Sequence, residues 1–387
     1  MFSHRNDPSR GATLTLKPDA ALPVFVVVYD DAKGKTRKKS FKNAQLGRAR
    51  DAALRFLLNK EGFLIRGPQD GTLKWMARIQ GPYMGELRHS VAPDTGVSWV
   101  VDGNNTLMRI HPESCTSWQG PLDSAKSSPH AYAWADRGGR VWVLAPSWER
   151  VDGELVQALR LLRVQDGPEP VIQEHLRVQG PGHLFSLHGD ALGQVLGPAP
   201  GGAALYGRDG ELLRQWPLVS RGENMPPLGA LSPCGRWVVF VQSDVAERID
   251  LQGGPDIELP CPHKTLNGLQ ISSKGEIYVS GFHYPSHGLF RLGPDGPVRV
   301  STDIRAILSP DGTQIAEAQH GKLTLRDAFQ ASQDPFEPTQ VLKEIALPLL
   351  GMAKYGSARF GTDGLIRVLS DAYTLGAIDP SEAASNS

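Results

Sequence analysis

The stretch ALSPCGRWVVFV, residues 230–241, reads as a short apolar strand, a turn closed by Gly235 and a second apolar strand. Glycine at such a turn supplies a positive φ that other residues adopt at a cost. The same phrase returns as QISSKGEIYVS (270–280) and AILSPDGTQIAEA (306–318), and more loosely as SVAPDTGVSWVV from Ser90, WADRGGRVWVL from Trp134, LHGDALGQVLG from Leu187 and RFGTDGLIRVL from Arg359. The turn glycines are Gly96, Gly139, Gly193, Gly235, Gly275, Gly312 and Gly364, spaced by 43, 54, 42, 40, 37 and 52 residues. A period of about 40–50 residues is that of one four-stranded propeller blade.

A second strand pair follows the clearer copies. After Gly312 come GKLTLRD and TQVLKEIAL; after Gly275 come HGLFRLG and GPVRVST, joined by Pro294-Asp295-Gly296. These alternations and turns read as hairpins. Seven copies predict an all-β, seven-bladed β-propeller over residues 67–379, with a short tail, 380–387, expected to be disordered. The last copy has room for three strands only. TLKWMARIQ, 72–80, belongs to no complete blade and is the expected fourth strand, closing the ring and removing an open sheet edge. The alternative is six blades with an irregular segment at 180–225. The intervals also leave two long insertions, 148–162 and 329–341, as candidate partner-binding elements that could be disordered.

LSPCGRWVVFVQSDVAERIDLQGG resembles the propeller repeat of TolB-type and related WD-like proteins, with Cys234 in place of the Asp of a Ser-Pro-Asp-Gly turn. The Trp-Asp pair of true WD repeats is absent, and Arg326-Asp327 stands nearest to it. The resemblance implies the fold and leaves function open, since propellers host unrelated activities. TolB-type members act in the periplasm. MFSHRNDPSRGATLTL at the start lacks the apolar core of a secretory signal, so a cytoplasmic protein with no membrane contact is expected here.

The 387 residues carry equal numbers of basic and acidic side chains, 41 of each, but unevenly placed. Through Arg66 there are 14 Lys and Arg against 6 Asp and Glu, leaving 27 against 35 in the remainder. A basic head on an acidic body suggests modules with different partners. Within VFVVVYDDAKGKTRKKSF, 24–41, Gly34-Lys35-Thr36 has the ending of a phosphate-binding loop. Tyr29 stands where that loop needs its first glycine, and no helix pattern begins at Thr36. The segment reads instead as a hairpin, with residues 12–16 as a possible third strand and an alanine-rich helix after it, stopped by Gly62.

Three strands and a helix, with Gly34-Lys35, Phe41, Gly47, Ala49, Ala52 and Ala53 in place, are similar to the DNA-binding module of plant ethylene-response factors and of some integrase arms. That resemblance implies nucleic-acid contacts from the outer sheet face, with Tyr29 near it; the usual Trp is missing, and Val26 and Val28 stand there. The basic run itself comprises Lys33, Lys35, Arg37, Lys38, Lys39, Lys42, Arg48 and Arg50 with no acid between them. Such a run gives salt-sensitive binding to phosphates, blunts a strand edge or meets an acidic protein.

For the body, a catalytic role is not expected. No Gly-x-Ser-x-Gly elbow occurs. A lactonase-like, metal-dependent propeller would need convergent acids, for which Asp190, Asn267 and Asp303 are the candidates. His283 and His287 have a metal-like spacing, and His183, His188 and Asp190 could line a loop mouth. Cys115, Cys234 and Cys261 have no ligand spacing and read as ordinary thiols; the eight tryptophans read as packing between blades. The expected function is a non-catalytic scaffold without cofactor, presenting loops to a protein partner in a multi-component intracellular assembly of bacterial type. Nucleic-acid binding through residues 1–66 is the alternative.

Overall fold

A computed structural model describes Ser3–His4, Thr13–Lys17, Val24–Asp30, Thr36–Lys42, Leu64–Arg66 and Leu73–Arg78, and from 89 to 382 all but short connecting segments. Every regular element among the described residues is a strand. Six four-stranded antiparallel sheets follow one another along the chain, at 89–121, 132–179, 188–217, 228–260, 265–301 and 307–346. We number them blades one to six. Blade seven takes Gly356–Phe360, Ile366–Ser370 and Thr374–Ile378 from the end of the chain and Leu73–Arg78 from near its beginning. The first strand of each blade lies against the first strand of the next, and Gly356–Phe360 meets His89–Val91, so the ring closes at seven. Segment 180–225, the weak point of the repeat, holds a complete blade three.

The reason the repeat folds this way is visible in Trp237–Gln242, whose four central residues are all buried. Val238 and Phe240 pack with Leu196, Leu205 and Trp216 of blade three. Val239 and Val241 face the other way, onto Leu269, Ile277 and Phe290 of blade five. A strand buried on both sides needs apolar residues at every position, which is why WVVFV is a continuous run. The fourth strands of blades two, three, four and six expose most of their side chains, as in Leu212–Pro217 and Ile257–Pro260. Trp99, Trp142 and Trp216 are buried between blades, as packing residues should be.

The closing sheet is wider than the others. Outside Leu73–Arg78 it continues with Leu64–Arg66 and then Ser3–His4, six strands in all. Lys74 reaches Asp379 at 3.3 Å, and Lys343 Nζ donates to the Pro380 carbonyl at 2.6 Å, so the chain is held just past its last strand. Residues 383–387 and the segment read as an alanine-rich helix lie outside the described residues. The three head strands form a separate antiparallel sheet with Val24–Asp30 in the middle. The insertion at 148–162 is corrected: it is an ordered lengthening of the blade-two hairpin, whose strands Arg140–Val151 and Glu154–Gln165 pair throughout.

Candidate interaction surfaces

Each recurring turn joins the first and second strands of its blade, so all of them lie on one face of the ring. In blade four, Ser232 Oγ accepts the Trp237 N–H at 2.9 Å, and Gly235 N donates to the Ser232 carbonyl at 2.9 Å. Ser272 and Ser309 repeat the arrangement in blades five and six. Asp136 and Asp190 do so with carboxylates in blades two and three. Six of the seven turn glycines have positive φ, from 63° at Gly96 to 92° at Gly193, while Gly139 lies outside the described residues. Neighbouring turns are also stitched together. Ala191 N donates to the Pro233 carbonyl, Cys234 Sγ to the Ser273 carbonyl, and Ser273 Oγ to the Pro310 carbonyl. Arg367 of blade seven donates to the Gly96 carbonyl of blade one.

These bonds account for Asp190. Its Oδ1 accepts the Leu192 and Gln194 N–H groups at 2.8 Å each, and burial pushes its carboxyl above the usual carboxylate range. Asp303 lies at the opposite end of its blade, in the link between blades five and six, where its Oδ1 accepts the Arg305 N–H. The two acids therefore sit on opposite faces of the ring and do not converge; the side chain of Asn267 lies outside the described residues. His283 and His287 belong to the strands Ile277–His283 and Ser286–Gly293, where His283 pairs with Ser286 and His287 with Phe282. That register puts the two histidines on opposite faces of one hairpin. His188 is half-buried in the first strand of blade three, and His183 is outside the described residues. Among the described residues no group of three His, Cys, Asp or Glu is placed to hold a metal ion. Cys234 is an exposed thiol and Cys261 a buried one. No helix among the described residues is long and apolar enough to cross a membrane.

On the other face, blade two stands out. Its first strand, Tyr132–Ala135, pairs only with Val141 to Leu144, and its fourth, Val171–Gln179, ends opposite Ala158. Beyond that point the pairs Trp148–Gln157, Glu149–Val156, Arg150–Leu155 and Val151–Glu154 continue as a two-stranded ribbon with no third strand beside it among the described residues. At about 3.4 Å per residue, four pairs reach roughly 13 Å past the blade. Asp152 and Gly153 close it with φ of 51° and 90°, the two positive values of a type I′ turn. At the base Arg160 holds the ribbon in place, donating to Glu174 at 2.6 Å and to the Leu122 carbonyl at 3.1 Å. Arg177 and Arg160 keep the Glu174 carboxyl below its usual range.

The head sheet carries the third surface. Register against Val24–Asp30 places Arg37, Lys39 and Phe41 on one face, opposite Tyr29, Val27 and Phe25. Lys38, Ser40 and Lys42 are on the other, opposite Val28, Val26 and Val24. Arg37, Lys38, Lys39 and Lys42 are exposed, and the Lys39 ammonium sits 5.5 Å from the Phe41 ring centre. Val24 is buried and Val26 half-buried. The predicted basic cluster is thus divided between two faces of one strand. Lys33, Lys35, Arg48 and Arg50 lie outside the described residues.

No family model matches the chain, and no curated protein matches it. Among solved structures, a chain of a mitotic checkpoint complex is similar over 81% of this chain and 95% of its own, with a TM-score of 0.48 and 10% identity. YCF48 bound to a D1 peptide is similar over 78% of this chain and 96% of its own, with a TM-score of 0.47 and 14% identity. Similarity at this level adds nothing to the propeller read directly from the strand order.

The sequence did not single out the ribbon as a β-structure, nor the extra strands of the closing sheet. The Asp152-Gly153 pair flanked by alternating residues is the available signal for the first. Leu64–Arg66 is too short to carry a period of its own.

Proposed function

We propose that this chain is a non-catalytic propeller scaffold that takes hold of a partner protein through the face bearing the blade-two ribbon. The observation that carries this reading is the four-pair ribbon, which has no third strand beside it among the described residues. Two strands alone are marginally stable in water, and their outer edges present unpaired backbone groups that a partner can satisfy. The ring supplies a rigid base, because its turns are hydrogen-bonded from blade to blade and its strands are buried on both sides. The three-stranded basic sheet is a second contact, to a polyanionic surface. Such a two-contact scaffold suits a multi-component assembly.

The test shortens the ribbon by joining Ser147 to Ala158 through an Asn-Gly turn. The shortened protein should melt within a few degrees of the parent and lose a partner that the parent retains in quantitative affinity capture from its own cells. Identical sets of captured proteins at equal stability would overturn the reading.

A further inference from the structure

We propose that the rim seam between blades three and four receives a lysine or arginine side chain of a partner protein, held between Glu247 and Glu258. The proposal rests on the scaffold reading only in taking the partner to be a protein, and it adds a contact on blades other than the one that bears the ribbon.

Strand register defines the two walls of this seam. On blade three, Arg214 lies opposite Leu205 and Trp216 opposite Ala203, and Ala203, Leu205 and Trp216 pack toward blade four. On blade four, Phe240 lies opposite Glu247 and Val238 opposite Ile249, and Val238, Phe240 and Ile249 pack toward blade three. Glu258 lies opposite Glu247 in turn, so Arg214, Glu247 and Glu258 share the sides turned to the seam. Trp216 and Phe240 meet across it with ring centres 5.4 Å apart. Arg214 and Glu258 are exposed and Glu247 is half-buried.

Carboxylates directly opposite one another on a strand pair repel, at a cost to the sheet. Among the described residues neither Glu247 nor Glu258 has an ion pair or a hydrogen bond. The cations nearby are engaged elsewhere. Arg248 donates to the Gly275 carbonyl of blade five, Arg236 is paired with Asp250, and Arg214 stands over the Trp216 ring, 5.1 Å from its centre. A second group in the seam is also unmet: Trp216 is nine-tenths buried, and its indole N–H has no acceptor among the described residues. The seam thus lacks a cation and an acceptor, and one extended stretch of peptide brings both, as a basic side chain and a backbone carbonyl. A metal ion brings only the first, and would find two carboxylates where such ions take roughly six oxygen ligands. Nucleic acid brings phosphates, which the two acids turn away. Leu213, the extra residue of a bulge beside Arg214, is 46% exposed and offers apolar contact to the stem of the incoming side chain.

The experiment selects a phage-displayed library of random dodecapeptides on the full chain, with depletion on the variant Glu247→Gln/Glu258→Gln. The surviving peptides should share a Lys or Arg next to an apolar residue. The synthesised consensus peptide, followed by fluorescence anisotropy, should bind the variant about tenfold more weakly than the parent. It should lose about as much when its own cation is replaced by glutamine. The variant should melt no lower than the parent, because an unrelieved repulsion has been removed. A consensus without a cation, no peptide that tells parent from variant, or a variant that melts lower overturns the proposal. Calcium chloride that displaces the peptide at constant ionic strength would mark an ion site and overturns it too. So does a dimer of the parent, seen by sedimentation velocity, that the two substitutions dissociate, which would give the seam to a second copy. Shortening the ribbon leaves these residues in place, so this test and that of the scaffold reading fail separately.

Discussion

Trp237–Gln242 in blade four and Thr36–Lys42 in the head are strands of similar length with opposite surroundings. The first buries Val238 and Phe240 against one blade and Val239 and Val241 against the next. The second exposes Arg37, Lys38, Lys39 and Lys42, two to each face. Both abandon the half-buried alternation of an ordinary strand, one by being apolar at every position and the other by being basic on both sides. Between blades, two-sided burial is what lets a stack of small sheets hold together without helices. At the head, one strand carries exposed positive charge on both of its faces.

The comparison breaks most visibly at Phe240. Phe240→Ala empties the contact with blade three, and equilibrium denaturation should show a loss of about 3–5 kcal/mol. Gly235→Ala comes next. Gly235 has a φ of 73°, and an added methyl would run into the Asp190 carboxylate of blade three. Gly253→Ala shares the positive φ, 86°, but meets no neighbouring atom. The first should cost about 2–3 kcal/mol and the second about 1 kcal/mol, the part due to backbone strain. Equal losses would show that the contact between blades contributes nothing at this turn.

Two aspartates sharpen the same picture through pH. Burial raises the Asp190 pKa, so the stability this group contributes is complete below its unfolded value of about 3.9 and is lost as pH rises through the folded one. Asp190→Asn keeps the Oδ1 acceptor and does not titrate. Its stability relative to the parent should therefore improve from acid toward neutral pH. Asp250 has the opposite shift, held down by the Arg236 guanidinium at 2.8 Å. Asp250→Asn should weaken the protein at neutral pH, with the difference shrinking as pH falls through the folded pKa and the parent itself becomes protonated. Thermal melting at a series of pH values reads both. The smallest effect belongs to the head: Lys38→Glu should change stability by no more than about 0.5 kcal/mol, because its side chain is exposed.

The blades were legible because their turn leaves two marks at fixed spacing, a small polar residue that accepts backbone N–H groups and a glycine at positive φ. Ser232 and Gly235 show both, and the fourth strand of the last blade could be located from what its own repeat lacked. Asp190 was misleading for the same reason. An acid just after a first strand looks placed for the axis, yet in blades two and three that position caps the turn, as serine does in blades four to six. A metal reading of His283 and His287, not the favoured one, had only their spacing behind it, and spacing along a chain does not reveal the register of a hairpin. The blade-two ribbon was marked in the sequence by a long interval and an Asp-Gly pair, and pairing continued where a loop was expected.

Closure by Leu73–Arg78 has a consequence for how the protein is made. This strand meets the rest of its blade only through Thr374–Ile378, so during synthesis it waits on the nascent chain while six blades emerge. The ring is an open arc until then, with blade one lacking its neighbour. Such long-range pairing makes folding slow and leaves a sheet edge open to other chains meanwhile. Leu64–Arg66, already made and able to pair with Leu73–Arg78 through a local hairpin, covers one side of that strand from the outset. The head thus serves its own ring as a chaperone would, before it serves any partner.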